Sequence, residues 1–178
     1  MRANLRAWLA ASCILALSVS AAAGDPGPIP NPAIDMTGYL SVAAAAATHR
    51  ESHRLSERDF LRLAREPGTI ILDARSREKF DELHVKGAIN LSFPDIAVAS
   101  LRQAIPDRST RILIYCNNNF VNAEGPFPTK LPAASLNLST YIALYTYGYR
   151  NVYELGPLLD VADTQLVLEG ISRVSNAR

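Results

Sequence analysis

Four short, nearly continuous apolar runs punctuate the chain: Thr69–Leu72, Ala88–Leu91, Arg111–Tyr115 and Asn151–Leu155. Runs of this length, rich in Ile, Leu and Val and bounded by turn residues, predict buried strands. Between them the apolar period lengthens to that of a helix. Ser56 and Asp59 make a capping-box-like start, Phe60, Leu61 and Ala64 form one face, and Pro67-Gly68 ends it. Ser76–Leu83 predicts a short helix capped by Ser76, and Phe93–Ile105 an amphipathic stretch directing Ile96, Leu101 and Ile105 to the core. Ser135–Tyr147 predicts a long apolar helix closed by Gly148, and Asp160–Gly170 a last helix. Asp35–Thr48, with its alanine run, predicts one more short helix ahead of all these. The alternation of strands and helices predicts an α/β fold: a mostly parallel central sheet with helices on both faces.

The two ends follow other patterns. Arg2 and Arg6 precede an apolar centre, Ala7–Val19, and Ala21-Ala22-Ala23 offers a cleavage site. This predicts a signal peptide over residues 1–23, cut after Ala23, and a periplasmic or secreted protein with no membrane contact after cleavage. Gly24–Ala33 holds four prolines in ten residues, which predicts an extended linker. The expected organisation is linker and N-terminal helix at 24–50, a folded domain at 51–170 and a polar tail at 171–178. Without Arg2 and Arg6 the chain has 16 basic residues against 17 acidic. That balance, with no basic patch, excludes nucleic acid as the expected partner.

Candidate chemistry concentrates at one place. The run Arg111–Tyr115 stops at Cys116, and Asn117-Asn118-Asn119 forces the chain to turn immediately. A reactive side chain between a strand and a polar turn is how α/β proteins build sites at the carboxyl edge of a sheet. Free N–H groups of that turn, and of any helix that follows, would favour the thiolate. Removing the signal also removes Cys13 and leaves Cys116 without a cysteine partner, which predicts an intermolecular bridge or a free reactive thiol. His49 and His53 have metal-binding spacing but no third ligand nearby. The expectation there is a solvated turn, with no metal and no organic cofactor.

Ile71-Leu72-Asp73-Ala74-Arg75, Glu78-Lys79-Phe80 and His84-Val85-Lys86-Gly87-Ala88-Ile89-Asn90 occur in order, followed by the strand ending at Cys116 and by Gly148–Leu155. Together they resemble the rhodanese (sulfurtransferase) domain over about residues 52 to 160. The resemblance implies a rhodanese-like fold and sulfur transfer through a persulfide on Cys116. A small sulfur-containing donor would supply the sulfur, and cyanide or a thiol would accept it. The backbone of Asn117, Asn118, Asn119, Phe120, Val121 and Asn122 would cradle the anion. Asp73, Arg75 and His84 would hold loops near the site.

Thiosulfate-handling members of that family carry glycine and arginine in the active loop, and this loop has neither. Lys130 is the candidate replacement charge. The stretch Ala123–Ala134 is longer than family members tend to have, so Phe120 and Phe127 would line the site, or Phe127 would anchor the loop to the core. Two further readings stay open: a non-catalytic module that binds a small molecule or an exported protein, and a redox-sensing thiol.

Overall fold

The computed structural model describes residues 29–171. The expected signal peptide, residues 24–28 of the proline-rich linker, and residues 172–178 of the tail lie outside them. In chain order the elements are α1 (Met36–Glu51), β1 (Arg54–Leu55), α2 (Glu57–Ala64), β2 (Thr69–Asp73), α3 (Arg77–Glu82), β3 (His84–Val85) and β4 (Ile89–Asn90). Then follow α4 (Val98–Ala104), β5 (Arg111–Tyr115), β6 (Phe120–Val121), α5 (Leu136–Thr146), β7 (Val152–Leu155), β8 (Leu159–Asp160) and β9 (Leu168–Glu169).

Five strands form the central sheet in the order β1-β7-β5-β2-β4, with every neighbouring pair parallel. Successive side chains of a strand point to opposite faces, so each strand feeds two cores. Along β5, Leu113 and Tyr115 join Phe60 and Leu63 of α2, whereas Ile112 and Ile114 join Leu101 of α4 and Tyr141 and Leu144 of α5. Ala46 of α1 is fully buried in that second cluster. Each aliphatic side chain so enclosed contributes about 1.5–3 kcal/mol, and strand β5 carries four buried residues in five.

The helix boundaries follow local chemistry. The side chains of Asp35, Ser56 and Ser76 accept hydrogen bonds from the backbone of Gly38, Asp59 and Lys79, capping α1, α2 and α3. At the end of α5, Gly148 takes φ 92°, a left-handed angle that carries no steric penalty for glycine. Its N–H bonds to Tyr145 O at 3.1 Å and that of Tyr149 reaches back to Leu144 O at 3.0 Å. These are the two bonds of a Schellman ending, with Leu144 and Tyr149 together in the apolar cluster.

Two expectations are corrected. Asp160–Gly170 is not a helix: it begins in β8, turns, and ends in β9, which pairs antiparallel with β3. The Asp160 carboxylate accepts the Ala162 N–H at 2.9 Å, and Glu57 Oε1 accepts the Thr164 hydroxyl and the Gln165 N–H. Side-chain acceptors compete with helical bonding, and burial of Leu166 completes the override.

The His49–His53 segment is not a solvated turn. The two rings stack at 3.9 Å, and His49 Nδ1 lies 2.7 Å from the Tyr141 hydroxyl. Burial, then His53, then Arg150 hold the His49 imidazole below its usual 6.5. A depressed imidazole contributes stability that is present above about pH 6.5 and is lost as pH falls through its folded value. Urea midpoints of the wild type are therefore expected to drop between pH 7.5 and pH 5 more steeply than those of His49→Gln, and equal slopes would contradict this.

Candidate functional site

Strands β2, β5 and β7 end together, and their carboxyl edge gathers the polar residues of the site. Tyr115 is in register with Asp73, and Ile114 with Glu154. Cys116 follows β5 and is 1% exposed. Among the described residues it belongs to neither apolar cluster. It lines a cavity of about 300 Å³ with Arg50, Arg54, Ser135, Asn137 and Glu154. The Cys116 Sγ lies 3.4 Å from the Ser135 hydroxyl, its hydrogen-bonding neighbour. Ser135 is the N-cap residue of α5, 19 residues later in the chain, and it meets the sulfur through its side-chain hydroxyl.

The asparagine run forms a single 3₁₀ turn, Asn117–Asn119. The Asn119 N–H bonds to Cys116 O at 3.1 Å and the Phe120 N–H to Asn117 O. Those two amides are used by the turn itself. The asparagine side chains tether the loop instead. Asn117 Nδ2 donates to Pro128 O at 2.8 Å and Asn118 Nδ2 to Lys130 O at 2.7 Å.

Asn119 is the hub of this arrangement. Its Oδ1 accepts the Cys116 N–H at 2.9 Å and Asn137 Nδ2 at 3.0 Å, while its Nδ2 donates to Leu155 O at 2.7 Å and Pro157 O at 3.1 Å. Asn119→Ala would take a partner from two donors, the Cys116 N–H and Asn137 Nδ2, and from the Leu155 and Pro157 carbonyls; a group left fully unsatisfied costs about 1–3 kcal/mol. A loss of about 2–4 kcal/mol in urea unfolding is expected; a change below about 0.5 kcal/mol would contradict the assignment.

The other predicted residues separate. Asn122 takes φ 62°, the one non-glycine positive φ among the described residues, and Nδ2 donates to Asp160 Oδ2 at 2.5 Å. Phe120 and Val121 leave the site as β6, which pairs with β8. The Phe120 and Phe127 rings meet at 4.4 Å, both 1% exposed, inside the core. They anchor the loop and do not line the cysteine cavity. Lys130 lines a neighbouring cavity of about 350 Å³ with Arg75, Lys79 and Asn117, which Cys116 does not line.

Asp73 and Arg75 form a buried ion pair: Arg75 Nη2 donates to Asp73 Oδ2 at 2.6 Å, and Nε to both carboxylate oxygens at 3.0 Å. The Tyr115 hydroxyl donates to Asp73 Oδ2 at 2.6 Å, and burial followed by the Asp73 charge pushes that hydroxyl well above its usual range. His84 stacks on Phe80 at 3.8 Å, with Nδ1 on Phe80 O at 2.7 Å. None of these three lines the cysteine cavity.

Sequence reading missed Arg50, Arg54, Ser135, Asn137 and Glu154. Arg50 Nε donates to Glu154 Oε2 at 2.6 Å and its Nη2 to Oε1. Arg54 Nε lies 3.3 Å from Glu154 Oε1, and β1 sets Arg54 in register with Glu154. Ser135 had a legible signal, a serine before a helical run. The arginine–glutamate contacts had none, since about a hundred residues separate the partners.

A parallel sheet covered on both faces, with a cysteine that follows its central strand and lines a polar cavity, defines an α/β domain with a thiol site. Residues 56–155 match the family model described as Rhodanese-like domain, and the chain belongs to that family. Solved structures similar to it include the rhodanese-like domain of an Anabaena sp. protein, at 20% identity over 71% of this chain and 85% of that one, with TM-score 0.49. Thiosulfate sulfurtransferase from Pseudomonas aeruginosa matches at 20% identity over 73% of this chain and 23% of that one, with TM-score 0.47. A rhodanese with anions from E. coli matches at 22% identity over 57% of this chain and 98% of that one, with TM-score 0.40. No curated protein matches the sequence.

Proposed function

We propose that this chain is a sulfurtransferase that carries sulfane sulfur on Cys116. One observation supports this above the rest: the thiol lines a polar cavity at the end of the central strand and takes no part in either apolar cluster. The Cys116 thiolate attacks the outer sulfur of a donor such as thiosulfate. A new S–S bond forms, the donor's S–S bond breaks, and its electron pair leaves with sulfite. An acceptor, cyanide or a thiolate, then attacks the outer sulfur of the persulfide and restores the Cys116 thiolate. The Ser135 hydroxyl can donate to the ionised sulfur in both half-reactions.

A covalent intermediate requires ping-pong kinetics. Initial rates with donor and acceptor varied together are expected to give parallel double-reciprocal lines. Intersecting lines would remove the carrier role. The same reading places the protein in the periplasm or outside the cell after cleavage behind Ala23, which N-terminal sequencing of the exported form tests.

A second reading is a binding module without chemistry. The recessed thiol and the turn amides bonded to their own carbonyls favour it. Absence of turnover with every sulfane donor, with the partner still bound by Cys116→Ser, would select it.

A further inference from the structure

The active loop carries no arginine, yet the cavity at Cys116 is cationic. Arg50 lies in the last turn of α1 and Arg54 opens β1, and both line the cavity with Cys116 and Ser135. Glu154 is the acidic side chain of that lining and is 2% exposed. A buried carboxylate needs a counter-charge, and Arg50 provides it by engaging both oxygens, Oε2 from Nε at 2.6 Å and Oε1 from Nη2. Arg54 is held far more loosely. It makes one long contact to Oε1 at 3.3 Å and donates Nη2 to Gly156 O at 3.2 Å. Its side chain is 50% exposed, and its Nη1 has no hydrogen-bond partner among the described residues. Two guanidiniums against one carboxylate leave one positive charge unbalanced.

We infer that Arg54 is the anion-binding residue of the Cys116 cavity, taking the place of a loop arginine. The donor it fits is a sulfane compound whose leaving group is an oxyanion, of the thiosulfate or thiosulfonate class. Its unpartnered Nη1 is placed to give such a group a charge-assisted hydrogen bond. This rests on the sulfur-carrier reading above. As the donor's S–S bond breaks, the electron pair departs on sulfite or a sulfinate, and Arg54 offsets the charge that grows there.

The test separates the cation from the sulfur chemistry. Cys116 is alkylated at one pH with iodoacetate, an anion, and with iodoacetamide, which is neutral, and the two rates are compared. Both reagents need the ionised sulfur, so their ratio cancels its ionisation and reads only the local charge. Arg54→Gln is expected to lower the iodoacetate-to-iodoacetamide ratio about three- to tenfold and to raise KM for thiosulfate by a similar factor. Because Arg50 keeps Glu154 paired, the urea midpoint of that variant should stay at the wild-type value. Arg77→Gln on α3, outside the cavity, should leave the ratio unchanged. An unchanged ratio in Arg54→Gln, or an equal fall in Arg77→Gln, overturns the role of Arg54 while the carrier reading stands. A wild-type Cys116 that resists iodoacetamide overturns both.

Discussion

Cys116→Ser is expected to lower sulfur transfer by about 10³-fold or more while the protein stays folded. Removing the nucleophile of a covalent mechanism removes the intermediate, and such replacements lower kcat by orders of magnitude. A serine hydroxyl does not form the persulfide. The same substitution should change stability by less than about 1 kcal/mol. The loop is fixed by the Cys116 N–H on Asn119 Oδ1 and by the Asn119 tethers, all of which survive the change. The new hydroxyl also faces Ser135, a polar neighbour. Thiocyanate release from thiosulfate and cyanide, measured beside a urea curve, gives both quantities. Activity within tenfold of wild type would exclude Cys116 as the carrier.

Arg75→Ala is expected to cost about 3–5 kcal/mol, the range for breaking a buried ion pair by removing one partner. Asp73 is 0% exposed and Arg75 3%, so no water replaces the lost charge. The guanidinium also donates to Leu83 O at 2.7 Å and Pro126 O at 2.8 Å, and stacks 4.2 Å from the Phe127 ring. One side chain thus ties β2 to the start of β3 and to the long loop after Cys116. The variant would leave Asp73 charged, buried and bonded to Tyr115 alone among its former side-chain partners. Adding Asp73→Asn should then recover part of the stability, although alone it destabilises. This reversal of sign is the mark of direct coupling. Urea unfolding of the four proteins of the cycle measures it, and simple additivity would contradict the pairing.

What the sequence shows and what it conceals divide by distance along the chain. The strands at Thr69 and Arg111, the Ser56 and Ser76 caps and the Gly148 ending are set by residues within a few positions of one another. Their periods and turn chemistry are therefore legible. Asp160 misled because an aspartate that begins a helical pattern can equally close a turn on itself, and Glu57, a hundred residues away, holds the turn shut.

The site shows the same division. Cys116 stood out locally as the end of an apolar run. The loop amides, expected as a cradle, are partly used by their own 3₁₀ turn, because Asn119 caps the Cys116 N–H and pulls the backbone tight. The positive charge, sought at Lys130 a few residues on, lies at Arg50 in the last turn of α1 and at Arg54 in β1. Parallel pairing of β1 with β7 brings them to Glu154, and no local pattern encodes that register.

The most direct measurement is the intact mass of the purified protein after exposure to thiosulfate and removal of the excess. The account predicts a gain of one sulfur atom, located on the peptide bearing Cys116 and lost again on addition of cyanide with release of thiocyanate. An unchanged mass with thiosulfate and with thiosulfonates, in a protein whose Cys116 reacts readily with iodoacetamide, would contradict it.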